Sequence, residues 1–192
     1  GKTTLGKVLT GLIPCRDGRF IVAGSQVRQK RLSNYAYFVM QEADHQLYKE
    51  SAVEELRLGN ERASDIDERI AGILDMLNLT DFAQHHPYAL SGGQKQRLTI
   101  GTAMASSKPI VVLDEPTSGL DWGNMCAVAQ AINQLRESGR LVFVITHVIE
   151  LVDLTATRVL ALAEGRIADD FPLSSQAALE RTRQIMLGGG LL

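Results

Sequence analysis

The sequence predicts an α/β fold in which a mainly parallel sheet is flanked by helices. Short apolar segments rich in β-branched residues alternate with segments of helical periodicity, and this alternation is typical of parallel sheets covered by helices. The predicted strands are residues 19–23, 35–40, 110–113, 141–145 and 158–162. With 192 residues, 45% of them hydrophobic and 22% charged, the chain can bury one full core. We therefore expect one principal domain over residues 1–192.

The helical segments fall into three groups. A first helix is predicted at residues 4–12, and an amphipathic helix at residues 177–187 precedes three glycines, 188–190, that end it. Between residues 51 and 89 the apolar side chains recur at helical spacing and no strand pattern intervenes. Together with the helix that follows, this block predicts a helical subdomain over about 51–106.

A glycine-rich loop precedes the last helix of that block. Leu90-Ser91-Gly92-Gly93-Gln94 leads into a regular pattern that runs to Met104, so side-chain-free backbone amides would lie at a helix N-terminus. Such amides and the positive end of the helix dipole stabilise an anion. Two glycines alone usually mark a plain turn, but the residues around them and the acidic pair downstream favour phosphate binding.

That acidic pair, Asp114 and Glu115, ends the apolar run 110–113. Open α/β sheets bind their ligands at strand ends, so adjacent carboxylates at this place suit nucleotide hydrolysis. The alternative is that Asp-Glu-Pro-Thr only opens a turn, because Pro116 prevents a helix. The buried strand directly before the pair favours the chemical role.

The chain opens with Gly1-Lys2-Thr3-Thr4, which matches the end of the phosphate-binding loop G-x-x-x-x-G-K-[ST]. In that motif Lys2 places a positive charge on the β- and γ-phosphates, and the Thr3 hydroxyl ligates Mg²⁺ at the N-terminus of the following helix. The first glycine of the loop is not in this sequence, nor are the strands expected before it. We therefore expect an N-terminally truncated fragment.

Taken together, these motifs resemble the nucleotide-binding domain of ATP-binding cassette (ABC) transporters, a P-loop NTPase, over nearly the whole chain. The resemblance makes Leu90 to Gln94 the signature motif, called the signature loop below. It makes Asp114 the Walker B aspartate, which holds Mg²⁺ usually through water. It makes Glu115 the base that polarises the attacking water.

The same resemblance assigns three further positions. Gln41, at the end of the predicted strand 35–40, corresponds to the Q-loop glutamine, which meets Mg²⁺ and the water and links the site to a membrane subunit. Asp121 ends the D-loop, residues 118–121, which crosses to the opposite site in a dimer. His147, directly after the strand 141–145, corresponds to a histidine that contacts the γ-phosphate.

The resemblance thus implies ATP and Mg²⁺ as cofactors and three sets of site residues. The catalytic set is Glu115, His147 and Gln41; the nucleotide-binding set is Gly1, Lys2, Thr3, Thr4, Ser91, Gly92, Gly93, Gln94 and Asp121; and the metal set is Thr3, Gln41 and Asp114. Of the other histidines, His85 and His86 are interpreted as ordinary solvated or core side chains, and the role of His45 stays open.

Two segments indicate a subfamily. Residues 41–48 and 51–55 are similar to ATPases of energy-coupling factor importers and their cobalt-type relatives, which carry vitamins or transition-metal ions. Residues 119–125 also resemble the second cassette of fused, two-cassette members. Trp122 in that segment could face a partner or could shield a helix start. Cassettes do not touch the transported solute, so the sequence does not identify it.

The resemblance also implies two partners. A second cassette would stack head to tail, as a homodimer, a heterodimer or a fused tandem, so that the signature loop of one faces the γ-phosphate held by Lys2 of the other. An integral membrane subunit would contact residues 41–48. No run approaches the roughly 20 apolar residues that span a bilayer, and no signal-peptide pattern is present. We therefore expect a peripheral protein at the cytoplasmic face of the membrane, with Cys15 and Cys126 as free thiols.

Two other functional classes share parts of this pattern. A soluble ABC ATPase acting on ribosomes or DNA would carry the same hydrolysis motifs on a basic surface or with long inserts, whereas this chain has a net charge of −2 and a pI near 6.1. We therefore expect no nucleic-acid partner. A non-enzymatic interaction module would need a damaged site, but Asp114, Glu115, His147 and the signature loop are intact.

Overall fold

The computed structural model describes residues 1–61 and 64–188. The helices are α1 Lys2–Leu9, α2 Ala52–Arg57, α3 Ile66–Met76, α4 Gly92–Ala105, α5 Trp122–Glu137, α6 Ile149–Thr155 and α7 Gln176–Met186. The strands are β1 Phe20–Val22, β2 Ser25–Val27, β3 Ala36–Val39, β4 Ile110–Asp114, β5 Leu141–Ile145, β6 Arg158–Ala163 and β7 Arg166–Pro172. Short 3₁₀ segments occur at Gln29–Asn34, Ala43–His45, Thr80–Phe82 and Pro87–Ala89.

The centre of the fold is a parallel sheet in the order β3-β4-β5. Ala36 lies opposite Ile110, and Ile110 lies opposite Leu141, so the three strands start and end together. Val111, Val112 and Leu113 in the middle strand are fully buried, because helices cover both faces of the sheet. The predicted parallel α/β arrangement is confirmed for these strands, and the predicted C-terminal helix is confirmed as α7. Its predicted end at glycines 189 and 190 lies outside the described residues.

Two of the predicted strands do not join the parallel sheet. The segment 19–23 forms β1, which pairs antiparallel with β2, and the segment 158–162 forms β6, which pairs antiparallel with β7. Each hairpin turns through two residues with positive φ, Ala23 with Gly24 and Glu164 with Gly165, as tight hairpins require. The sheet of the fold is thus mainly parallel, as predicted, and these two strands pair separately with β2 and β7, which carry no strong strand pattern in the sequence.

A cleft separates β6 from the parallel sheet. The free edge of β5 and the free edge of β6 line a space of about 550 Å³, with Leu5 and Leu9 of α1 on its apolar wall. Val142 and Val144 of β5 are therefore only half-buried, in contrast to the fully buried residues of β4. The apolar strand β5 thus has a fully packed side towards β4 and an open side towards the cleft.

The helical block packs around α4. Every residue of α4 from Gln96 to Ala105 is buried, so this helix lacks a solvated face and its sequence shows no amphipathic pattern. Gly101 lies where three apolar side chains converge: a Cβ at this position would be 2.9 Å from Leu56 Cδ2, 3.1 Å from Ile73 Cγ2 and 3.2 Å from Leu77 Cδ1. The close approach of α2 and α3 to α4 depends on that missing side chain.

Gly101→Ala should lower the free energy of unfolding by about 1–3 kcal/mol, because the added methyl group overpacks the junction of the three helices. The matched control is Gly72→Ala in α3, where a Cβ would meet no atom within 4 Å. That change should leave stability unchanged or raise it by up to about 1 kcal/mol, since alanine favours a helix. Denaturant unfolding of the two variants checks the prediction, and equal stability would contradict it.

Candidate active site

The first helix brings the basic end of the phosphate-loop motif to the parallel sheet. Gly1 is the N-cap of α1, and Lys2, Thr3 and Thr4 form its first turn. The helix lies directly on the sheet at Gly6, where a Cβ would be 3.0 Å from side-chain atoms of Phe38 and Val112. Lys2 lines the same cleft as Thr146 and His147, so the helix N-terminus lies beside the carboxyl end of β5.

The other predicted residues occupy the carboxyl ends of the three parallel strands. Asp114 is the last residue of β4 and lies opposite Ile145, the last residue of β5. Gln41 and His147 follow β3 and β5 by two residues each. Because parallel strands present their carboxyl ends at one edge, the sheet gathers these side chains there, as expected for a ligand site of an open α/β fold.

The Asp114 carboxylate is buried and incompletely bonded. Asp114 is only 3% exposed, and its Oδ1 atom has no hydrogen-bond partner among the described residues. A buried carboxylate oxygen without a partner is unfavourable unless a cation or a water satisfies it. The described part of the chain holds no cluster of three or more His, Cys, Asp or Glu side chains that could bind a metal alone. A cation at Asp114 would therefore need other ligands, such as phosphate oxygens.

Glu115 and His147 form a pair at this edge. Glu115 Oε2 lies 2.9 Å from His147 Nδ1, a distance at which an imidazole N–H donates to a carboxylate. The Glu115 backbone N–H donates to Ile145 O at 2.8 Å, and Glu115 has a φ of +49°, a conformation that a non-glycine residue rarely adopts. The carboxylate is mostly buried at 14% exposure, while the imidazole is 76% exposed and accessible to a substrate.

The signature loop forms a capped helix start. Ser91 Oγ accepts from the Gln94 backbone N–H at 3.3 Å, and the Ser91 N–H donates to Gln94 Oε1 at 2.8 Å. This reciprocal capping box fixes Gly92 and Gly93 in the first turn of α4. A Cβ on Gly93 would be 3.0 Å from Leu120 Cδ2, so a bare backbone is needed where the loop meets the D-loop.

The site residues form two groups in the chain. Lys2 and His147 line the cleft beside β5. Gln41, Gly92 and Gly93 line a second cavity of about 260 Å³, together with Ser118 and Gly119 of the D-loop. Neither of these two cavities is lined by both Lys2 and the signature glycines.

Asp121 ends the D-loop as the N-cap of α5. Its Oδ1 accepts from the Asn124 backbone N–H at 2.9 Å, and its Oδ2 accepts from Asn124 Nδ2 at 2.7 Å. These two bonds hold the pKa of Asp121 below its usual value, with a smaller contribution from the positive charge of Arg97. Trp122, the first residue of α5, is 62% exposed.

The proposed partner segment 41–48 is only partly accessible. Leu47 is 2% exposed and belongs to the main hydrophobic core, so the prediction that it contacts a membrane subunit was wrong. The side chain turns inward because the loop closes over α2 and α4. Tyr48, in contrast, is 75% exposed and free to contact another protein. His45 is a surface residue whose Nδ1 lies 3.2 Å from Glu42 Oε2.

Three side chains that the sequence analysis missed hold this segment. Gln46 accepts from the Met40 N–H at 3.0 Å and donates to Phe38 O at 3.0 Å. Glu55, only 3% exposed, accepts hydrogen bonds from the backbone N–H groups of residues 48 and 49. Lys95 Nζ lies 2.7 Å from Asp44 Oδ1. The burial of Glu55 could have been predicted from helical spacing, since it shares the buried face of α2 with residues 52 and 56.

Comparison with known proteins places the similarities of this chain in one family. A family model described as ABC transporter matches residues 1–118. A putative ABC transporter ATP-binding protein of Treponema denticola is 38% identical over 180 residues, covering 94% of this chain and 37% of the relative. The putative HMP/thiamine import ATP-binding protein YkoD of Bacillus subtilis is 31% identical over 173 residues, covering 88% of this chain and 32% of the relative. The chain thus spans about a third of the length of these relatives.

A solved structure extends the likeness to three dimensions. The ATP-binding cassette MJ0796, in a dimeric post-hydrolysis state bound to ADP and Pi, has a TM-score of 0.77 and 26% sequence identity. The match covers 91% of this chain and 82% of that cassette. Within the described residues, no helix of this chain has the length and apolar character of a membrane span.

The contrast between Leu47 and Tyr48 gives a stability prediction. Leu47→Asp should lower the free energy of unfolding by at least about 3 kcal/mol, because it buries an unpaired carboxylate and removes core packing. Tyr48→Ala should change it by less than about 1 kcal/mol, as is usual for exposed positions. Denaturant unfolding of both variants is the measurement, and a stable Leu47→Asp protein would show that this side chain is not in the core.

Proposed function

The chain belongs to the ABC transporter ATP-binding family, and from that membership we propose that it is the ATP-hydrolysing part of a membrane transporter. One observation supports catalysis above all. The Glu115 carboxylate is held 2.9 Å from His147, beside the unsatisfied Oδ1 of Asp114 and at the strand ends next to Lys2. A fixed acid, an unsatisfied carboxylate oxygen and a cation at one sheet edge suit phosphoryl chemistry.

ATP would bind at the N-terminus of α1. The first-turn amides and Lys2 would neutralise its β- and γ-phosphates, and the helix dipole would add to that attraction. The residues present also fit Mg²⁺, because Asp114 offers a buried oxygen that lacks a partner. Thr3, Asp114 and Gln41 would hold the ion, which neutralises charge on the phosphates when bound.

Glu115 would act on the attacking water. A carboxylate accepts the hydrogen bond of the water and orients its lone pair towards the γ-phosphorus. His147 fixes the orientation of that carboxylate through the 2.9 Å contact, and its exposed ring leaves a second nitrogen for the γ-phosphate. The backbone bond from Glu115 to Ile145 keeps the acid in place before substrate arrives, so less reorganisation is needed during reaction.

The complete site would form between two cassettes. The signature loop presents the amides of a helix start, yet its glycines line a different cavity from Lys2 of the same chain. Head-to-tail pairing would bring the signature loop of one cassette to the nucleotide on the other. The dimeric state of the related cassette MJ0796 supports pairing. Asp121, exposed at the end of the D-loop, would also lie towards the partner cassette.

The transporter would be an importer of the energy-coupling factor type, carrying a vitamin or a metal ion. Support comes from the segment 41–48 and from the likeness to YkoD, which is described as an HMP/thiamine import protein. The cassette would lie at the cytoplasmic face of the membrane, bound to an integral membrane subunit. The accessible part of that contact is Tyr48 and the polar side chains beside it.

Glu115→Gln in the full-length protein should lower the turnover number for ATP by about 100-fold or more, because the amide cannot accept a proton from the water. Nucleotide affinity should change by less than about threefold, since the carboxylate acts late in the reaction. Glu164→Gln is a matched control, because Glu164 also has a φ of +49° but lies in the β6–β7 hairpin. Steady-state ATPase assays and binding titrations measure both, and undiminished turnover in Glu115→Gln would remove this residue from catalysis.

Tyr48→Ala should reduce recovery of the full-length protein with its membrane subunit while leaving ATP affinity unchanged, because the phenol ring is exposed and does not line the cleft that contains Lys2. Tyr35→Ala, at a residue 37% exposed before β3, is the control and should co-purify normally. Co-purification from detergent-solubilised membranes is the measurement. Full recovery of the complex with Tyr48→Ala would exclude this surface, and wild-type protein recovered with ribosomes or DNA would instead support a soluble ABC ATPase.

A further inference from the structure

A buried arginine lies beneath the signature loop. Arg97 is only 6% exposed, and its Nε donates to Leu77 O, at the C-cap of α3, at 2.8 Å. No carboxylate in residues 1–61 and 64–188 lies within ion-pair distance of its guanidinium. A buried charge without a direct counter-ion is unfavourable, so the surroundings of Arg97 are the place to look for what the charge does.

The signature loop and the D-loop both meet at this arginine. Gly93 is four residues before Arg97 and therefore lies on the same face of α4. A Cβ on Gly93 would be 3.8 Å from a terminal nitrogen of Arg97 and 3.0 Å from Leu120 Cδ2. Gly93 thus lies between the guanidinium of Arg97 and the side chain of Leu120 in the D-loop, where a side chain on residue 93 would crowd the leucine.

The charge of Arg97 acts on the end of the D-loop. Burial lowers the pKa of Arg97, and the negative charge of Asp121 opposes that shift. In return, Arg97 contributes to the lowered pKa of Asp121, the N-cap of α5. Arg97 therefore connects three elements by different physical means: α3 by a hydrogen bond, the signature loop by contact and α5 by electrostatic attraction.

We infer that Arg97 is a positioning residue that makes the signature loop and the D-loop move as one unit when two cassettes close on ATP. The inference depends on the proposed head-to-tail pairing, in which both loops face the partner cassette. Arg97 itself does not touch nucleotide, because the glycines of the signature loop lie between it and the partner. Its effect would be on closure, while ATP binding at Lys2 of the same chain would be independent of it.

The test compares two arginines that each bond to a backbone carbonyl in the helical block. Arg97→Met is made in full-length protein carrying Glu115→Gln, which slows hydrolysis so that the ATP-bound dimer accumulates. Arg69→Met is the control, because Arg69 donates to Ala105 O at 2.9 Å, at the other end of α4. Sedimentation velocity gives the dimer dissociation constant with ATP, and titration of the monomer gives nucleotide affinity.

Arg97→Met should weaken the ATP-dependent dimer about tenfold or more, in line with the loss of a hydrogen bond to a charged group and of its attraction to Asp121. Nucleotide affinity of the monomer should change by less than about threefold, because the substituted side chain lies far from Lys2. Arg69→Met should weaken the dimer by less than about threefold, because Arg69 bonds to Ala105 at the end of α4 opposite the signature loop. Equal weakening by both substitutions would overturn the inference and leave Arg97 a structural residue only.

A double-mutant cycle tests the connection to the D-loop. Asp121→Asn keeps a good N-cap but removes the charge, so its effect on the dimer should be large with Arg97 present and small in the Arg97→Met protein. Independent effects of the two changes would overturn the coupling. If Arg97→Met does not fold, Arg97→Gln takes its place in the cycle, since glutamine also removes the charge but keeps an N–H donor for Leu77 O.

The same experiment separates this inference from the proposed function. Ser91→Arg, which fills the space of the partner's γ-phosphate, serves as the reference for blocked closure. If the Glu115→Gln parent does not dimerise with ATP, the pairing proposal itself fails. If the parent dimerises, Ser91→Arg does not, and Arg97→Met dimerises like the parent, only the role of Arg97 is wrong.

Discussion

The candidate site depends on the direct contact between α1 and the parallel sheet at Gly6. A Cβ at this position would lie 3.0 Å from Phe38 Cε2 and from Val112 Cγ1, and 3.1 Å from Ile145 Cδ1. One side chain from each parallel strand therefore touches the helix at the same point. Any larger residue would push the helix outward and move Lys2 and Thr3 away from the strand ends where Asp114 and His147 lie. The geometry of the phosphate-binding end thus follows from packing one helical turn away from it.

The buried polar groups of the fold divide into those with partners and those without. Glu55 is buried yet accepts hydrogen bonds from two backbone amides of the loop after β3, so it stabilises the scaffold. Arg97 donates to a helix end and remains close to the D-loop. Four buried side-chain atoms have no hydrogen-bond partner among the described residues: Asp114 Oδ1 and Thr117 Oγ1, on either side of Glu115 in sequence, and Gln96 Nε2 and Asn133 Oδ1 elsewhere. Unsatisfied buried groups are unfavourable, and a ligand bound beside Glu115, the proposed catalytic acid, would complete the bonding of Asp114 and Thr117.

Motif-bearing parts of the fold could be predicted from sequence better than the parts that connect them. The strands β3, β4 and β5 are short apolar runs between turn residues, and the parallel sheet followed from their alternation with helices. The partners of β1 and β6 could not be predicted in this way, because Ser25–Val27 and Arg166–Pro172 are mostly exposed and lack a continuous apolar run. Their pairing is specified by the turn residues Gly24 and Gly165. Glycines are typical of turns, but a glycine alone does not show which strands a turn joins.

The incorrect assignment of Leu47 to a partner-contact surface also has a physical cause. A loop of mixed composition after a strand resembles a solvated connection, and sequence alone does not show which of its side chains turn inward. Here Gln46 and Glu55 bond the loop backbone on both sides of Leu47, so the leucine is drawn into the core and Tyr48 is directed outward. Gln46 also accepts from the backbone N–H of Met40, the residue directly before Gln41. If a partner binds at Tyr48, as proposed, it contacts a segment that is hydrogen-bonded to the end of β3. A displacement of this segment would therefore move the strand end next to Gln41.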